Sequence, residues 1–306
     1  MWKRVLLIGL ALFFILTTVA VVAVEYQQRP QVLVVNDDTN TETQLLHPPQ
    51  RVVVLEPGMG QLMHSWQRGN LVVACAENLA SLFPAAENLG PAAEVNVAQI
   101  AATRPDLVIA GAQQESLVKE LRAYGFPALL VRLNRLNSLM VWPERLATVL
   151  VAEQQAAQTL RLLEKDRTEF LSRAKETLGA GLRVLWVVDE QFTIAGRNTL
   201  EDDLLALVGV DNAAAVLNRY PTLSPADILV LNPQVILAPE TLFPELEKQF
   251  RISGAEPENW PRLVPVAWSP DQVAWHDVFT QAERLLDYLE LASEENAEGA
   301  VPSAGN

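Results

Sequence analysis

Cysteine is almost absent. Cys75 is the only one in 306 residues, so no intrachain disulfide can form. It follows the apolar run Leu71–Ala74, which marks it as a small core residue rather than a catalytic thiol. Histidine is nearly as scarce. His47, His64 and His276 stand far apart, with no HExxH and no Cys/His spacing, which argues against a zinc cage. Basic clusters are missing as well: the net charge is −14. Phosphate neutralisation needs grouped Lys and Arg, so no nucleic-acid partner is expected. No Ser-His-Asp order, carboxylate pair or P-loop stands out, so the chain does not read as an enzyme. Gly58 and Gly60 follow an apolar run as in a dinucleotide loop. Met63 stands where that motif needs a third glycine, so no cofactor is expected.

What the chain does have is apolar residues, 50% of the total, enough for one or two real cores. Lys3 and Arg4 precede Val5–Val24, 20 residues without a charge. That length can cross the hydrocarbon layer as a helix, and the charges before it keep the N-terminus inside. A retained single-pass anchor is the favoured reading. The rival is a signal peptide cut after Val21-Val22-Ala23, which releases the body to the periplasm. No Cys follows the span, so a bacterial lipoprotein anchor is not expected.

Two related segments organise the rest. Val97–Ala110 and Pro225–Ala238 align at an offset of 128, sharing Ala98/Ala226, Ile100/Ile228, Pro105/Pro233 and Ala110/Ala238. Each reads as a short helix, a Pro-marked turn and a buried strand. Between them Glu153–Leu178 contains neither Gly nor Pro. Its Ala156, Leu160, Leu163, Phe170, Ala174 and Leu178 recur at helical spacing. Two copies around a long helix predict an α/β protein of two Rossmann-like lobes joined by that helix.

The expected division is 1–25 membrane anchor or signal, 26–50 linker with a hairpin around Asn36–Asn40, and 51–137 first lobe. Linking helices over 138–180, a second lobe over 181–292 and a disordered polar tail over 293–306 follow. Strands are expected at Arg51–Leu55, Leu71–Ala74, Pro127–Arg132, Arg183–Val188 and Leu263–Ala267. Helices are expected at Gln61–Trp66, Leu117–Tyr124, Ser138–Leu150, Leu200–Val208 and Asp277–Leu291.

The order of these pieces resembles the extracytoplasmic solute-binding proteins of ABC importers for cobalamin, ferric siderophores and haem. The pieces are PPQRVVVLEP, GNLVVACAE, NVAQIAATRPDLVIAG, LRAYGFPALLV, FTIAGRNTLEDDLLALVGVDNAA and YPTLSPADILVLNPQVILA. The likeness runs from Leu33 to Leu291 and implies a metal-chelate ligand held between the lobes. It also implies an ABC permease as partner. The family commonly carries one glutamate per lobe that docks on permease arginines. The matching positions here are Ala98 and Ala226, with Glu94 and Asp227 as the nearest carboxylates. This departure keeps an alternative open: a membrane-anchored interaction or sensory protein that retains the fold without standard docking.

Loops after strand ends should line the site. In the first lobe these offer Glu56, Gly58, Met59, Glu77, Asn78 and Gln113; in the second, Phe192, Arg197, Asn198, Tyr220 and Trp268. Trp275 joins them beside His276, at the start of the last helix. Phe192 and Tyr220 match family positions that often hold aromatics against a ligand, and flat conjugated ligands suit such platforms. Trp66 and Trp186 are expected in the core.

Overall fold

The computed structural model describes residues 32–177, 181–254, 256–266 and 278–298. The described chain opens with an antiparallel hairpin of β1 (Leu33–Asn36) and β2 (Glu42–Leu45), with Leu33 opposite Leu45 and Asn36 opposite Glu42. A hairpin is expected within 26–50, and its turn clamps it to the body. Asp37 is 1% exposed. Its carboxylate accepts from Thr39 Oγ1 at 2.6 Å, the Thr39 amide at 2.8 Å, the Leu130 amide at 2.9 Å, and Arg122. Asp38 accepts from the Arg132 amide at 2.7 Å, Arg145 at 2.8 Å and Trp142 Nε1 at 2.9 Å.

Two parallel sheets form the frame. The first holds β3 (Val52–Val54), β4 (Val72–Cys75), β5 (Glu87–Asn88), β6 (Leu107–Gly111) and β7 (Ala128–Val131), in spatial order β5-β4-β3-β6-β7. The second holds β8 (Arg183–Trp186), β9 (Asp211–Asn212), β10 (Val235–Ala238) and β11 (Arg262–Pro265), in order β11-β10-β8-β9. Parallel strands covered on both faces read as unbroken apolar runs, and β6 and β10 are buried at every position.

The helices are α1 (Pro57–Ser65), α2 (Val97–Ala102), α3 (Glu115–Ala123), α4 (Leu136–Leu150) and α5 (Glu153–Thr177). After these come α6 (Leu200–Val208), α7 (Pro225–Val230), α8 (Phe243–Ile252) and α9 (Val278–Glu298). Helix α9 continues through 293–298, part of the stretch expected to be a disordered tail. The repeat is real in three dimensions. Its first copy forms α2 and β6 and its second forms α7 and β10, and each turn carries a left-handed residue, Arg104 at φ 49° and Asn232 at φ 48°. Each helix is capped from the preceding residue: the Asn96 side chain accepts from the Gln99 amide, and Ser224 from the Asp227 amide.

Helix α5, 25 residues long, spans about 37 Å at 1.5 Å per residue. It is packed on one side through Ala156, Leu163, Phe170 and Ala174. These side chains join one continuous core that includes Val54, Ile109 and Val131 of the first sheet and Trp186, Val235 and Leu237 of the second. Trp142, Leu204 and Leu286 complete it from α4, α6 and α9. The opposite faces have separate cores. Val53, Val108 and Leu130 pack with Ile100 and Leu121, while Leu185, Ile236 and Ala238 pack with Ile228 and Phe250. Trp66 is buried at the end of α1, where its Nε1 donates to Thr159 Oγ1 of α5 at 2.9 Å. Among the described residues no helix is long and apolar enough to cross a membrane, and Val5–Val24 lies outside them.

Candidate functional site

All strands of a parallel sheet end at one edge, so the loops after them share a rim. On the first rim Glu56 follows β3 and caps α1, its Oε1 accepting from the Gly58 amide at 3.3 Å. Gly111 ends β6 close by: a Cβ there would stand 2.2 Å from Glu56 Oε2. The missing side chain lets two strand ends meet. Glu77 and Asn78 are exposed after β4, and Gln113 is exposed after β6. Gln114, beside it, is buried and its Oε1 accepts from the Gly111 amide at 3.0 Å.

Met59 does not join this rim, and Gly58 reaches it only through the backbone amide that donates to Glu56. Both are buried, and Met59 is 0% exposed within the shared core. Helix α1 starts at Pro57, earlier than expected, and its first turn directs Met59 inward. Cys75 is likewise 0% exposed, and burial pushes its thiol pKa up, away from nucleophilic chemistry.

The second rim is a ladder of two loop segments. Bridges join Val187 to Ile194, Thr193 to Thr222 and Arg197 to Asn218. The Gly196 amide donates to Arg219 O at 2.9 Å and the Arg197 amide to Leu217 O at 2.7 Å. A Cβ on Gly196 would stand 2.7 Å from Leu217 O, so only glycine allows this approach. Along the ladder lie Phe192, half-buried against the second sheet's own core, and the exposed Arg197, Asn198 and Tyr220. Phe192 and Asn198 have φ of 57° and 68°. The Tyr220 hydroxyl donates to Glu201 Oε2 at 2.8 Å. Trp268, Trp275 and His276 lie outside the described residues.

The two rims meet at Arg135, in the loop after β7. Its Nη2 and Nε donate to the two oxygens of Asp203 at 2.6 and 2.7 Å, and its Nη1 to Asn198 Oδ1 at 2.8 Å. The Leu136 amide adds a bond to Asp203 at 2.8 Å. Hydrogen bonding to Asp203 pushes the Arg135 pKa above its ordinary value. The sequence reading missed Arg135, Asp203 and Glu201. Acids in a helix's first turn read as partners of its dipole, and nothing local marks the distant contacts.

Ala98 and Ala226 are the second residues of α2 and α7, and both are exposed. Glu94 is exposed, and Asp227 is exposed with its Oδ2 accepting from Ser224 Oγ at 2.6 Å. Among the described residues no group of three or more His, Cys, Asp and Glu side chains could hold a metal ion.

Two parallel sheets with loop rims joined at Arg135, a shared inner core and a long packed helix define a two-sheet α/β fold. A model described as "Periplasmic binding protein" matches residues 73–250, more than half of the chain. The chain belongs to that periplasmic binding protein family. It is 22% identical to an uncharacterized ABC transporter substrate-binding lipoprotein, YvrC, of Bacillus subtilis, over 66% of this chain and 68% of that one. It is 28% identical to a cobalamin-binding protein of Halobacterium salinarum, over 66% of this chain and 57% of that protein's length. The periplasmic heme-binding protein RhuT from Roseiflexus superposes with a TM-score of 0.63 at 19% identity, covering 79% of this chain and 98% of that one. At that identity the superposition shows a common fold.

Proposed function

We propose that this chain is the extracytoplasmic solute-binding component of an ABC importer. It captures a metal-chelate ligand, a ferric siderophore, haem or cobalamin, between two Rossmann-like lobes and is not catalytic. The observation that carries this reading is the family match over 73–250, which spans most of both sheets and both aromatic rim positions, Phe192 and Tyr220. The substrate-binding and cobalamin-binding relatives support the ligand class. Val5–Val24 serves as the membrane anchor or signal, and the exposed faces around Ala98 and Ala226 meet the permease, with Glu94 and Asp227 supplying charge. The sensory alternative rests on the two alanines and on a retained N-terminal anchor.

The test uses the full chain in mild detergent, titrated with cyanocobalamin, haemin and ferrichrome while tryptophan fluorescence is followed. Saturable binding of one of them at micromolar or lower concentration is expected. Absence of binding to all three, with a protein partner co-purifying from membranes, would replace this reading with the alternative. Because one helix joins the lobes, small-angle scattering should show little compaction when ligand is added.

A further inference from the structure

We propose that Glu201 is the positioning residue for Tyr220: its buried carboxylate draws the phenol oxygen inward and leaves the ring as a stacking face for the ligand. This rests on the solute-binding reading above. Glu201, Asp202 and Asp203 follow one another in the first turn of α6, whose cap is Thr199. Each acid has a different task. Asp203 takes Arg135. Asp202 accepts from Asn212 Nδ2 at 2.9 Å and from the Asn198 amide at 3.2 Å. Glu201 points into the interior and is 0% exposed.

A carboxylate withdrawn from water is stable only with good donors around it. The Tyr220 hydroxyl is one, at 2.8 Å. The backbone beside Tyr220 is built to keep it there. Arg219 takes a φ of 60°, which non-glycine residues rarely adopt. Its amide donates to Arg197 O at 2.8 Å, and Pro221 O accepts from the Ile194 amide at 2.8 Å. Tyr220 is 38% exposed in spite of these anchors. With the hydroxyl turned to a buried acceptor, what it offers outward is its ring.

The consequence is a choice of ligand chemistry. A ring face recognises flat conjugated surfaces by stacking. Oxygen ligation to a metal would require the phenol to leave Glu201 and take a donor from a buried carboxylate. The geometry therefore selects a ligand with a planar conjugated face over one that needs a tyrosine oxygen for its metal.

The experiment has two independent readouts on the full chain in mild detergent. The first needs no ligand. Tyrosine rings are labelled with carbon-13, and the Tyr220 signal is identified by its loss in Tyr220→Phe. A dispersed Tyr220 signal is expected in the unmodified chain and in Glu201→Gln, which keeps an acceptor. It should collapse toward the free-tyrosine position in Glu201→Ala. An unchanged signal in Glu201→Ala overturns the proposal. Should Glu201→Ala not fold, melting decides: Tyr220→Phe should lower the melting temperature by leaving the buried Glu201 carboxylate without its phenol donor, and an unchanged melting temperature overturns it.

The second readout is affinity for haemin and cyanocobalamin. Tyr220→Phe and Glu201→Ala break the same bond and should weaken binding alike, about tenfold. Combining those two substitutions should add little. Loss of haemin binding in Tyr220→Phe, with a tyrosinate-to-iron absorption band in the unmodified complex, overturns the proposal. If the unmodified chain binds neither probe nor ferrichrome, the solute-binding reading fails, and the ring signal alone decides the role of Glu201.

Discussion

The two halves solve one structural problem with different side chains. In each, an arginine opening the inner strand closes off the repeat's turn. Arg51 Nε and Nη2 donate to Arg104 O at 2.9 Å and Thr103 O at 2.5 Å. Arg183 donates to Asn232 O at 3.2 Å and Leu231 O at 2.8 Å. The next strand's entry then holds the arginine's own backbone. In the first half Asp106 accepts from the amides of Arg51 at 2.8 Å and Gln50 at 2.7 Å. In the second half Gln234 accepts from Arg183 at 2.8 Å. A carboxylate with two free oxygens and an amide with one serve the same ladder. The shared element is the pattern of backbone groups needing partners; the identity of the partner is free.

The first half also carries the clamped hairpin, which has no counterpart among the described residues of the second, and removing it should give the largest effect. Asp37→Ala leaves Arg122 without its buried partner and should cost about 3 kcal/mol in denaturant unfolding. The same group sets an acid limit. Burial pushes the Asp37 pKa up, but hydrogen bonds from Thr39, Leu130 and Arg122 outweigh it and hold the pKa below its ordinary value. Its contribution is therefore complete above the ordinary carboxylate range and lost as pH falls through the lowered value. A pH series of melts should show this loss in the unmodified chain and not in Asp37→Ala.

The rims should differ next. Gly196→Ala meets backbone oxygen and should cost about 2 kcal/mol. Gly111→Ala meets the end of the Glu56 side chain, which can swing aside, so its cost should be under about 1 kcal/mol. The smallest effects belong to the matched arginines. Arg51→Ala and Arg183→Ala should each cost about 1 kcal/mol and add within about 0.5 kcal/mol, since they serve separate sheets. Unequal costs would show that the carboxylate and amide partners are not equivalent.

Much of this architecture was legible because it rests on long apolar runs with firm punctuation. Pro105 and Pro233 end their turns at the same phase, and the strands after them are wholly buried. Helix α6 was readable from Thr199 to Gly209 because both ends carry cap residues. Strands β5 and β9, two residues each, leave no period to detect. Helix α8 was hidden by Pro244 in its first turn, which reads as a loop signal unless the helix start is already known. The rims were legible as positions but not as chemistry. Tyr220 stood out by its match to a family position that often holds an aromatic, whereas nothing in the sequence marked its partner Glu201. Met59 failed for a related reason: the strand-end rule names a loop, and only the helix phase decides which side chains face out.

The continuous core has a consequence for how the molecule comes apart. Side chains of both sheets meet on α4, α5, α6 and α9, so neither half owns its inner layer. Opening one half would strip apolar cover from the other. Hydrogen exchange should therefore find β6 and β10 protected to the same free energy, with the slowest amides of both halves released in a single global event. The helix between the copies makes two look-alike halves one cooperative folding unit.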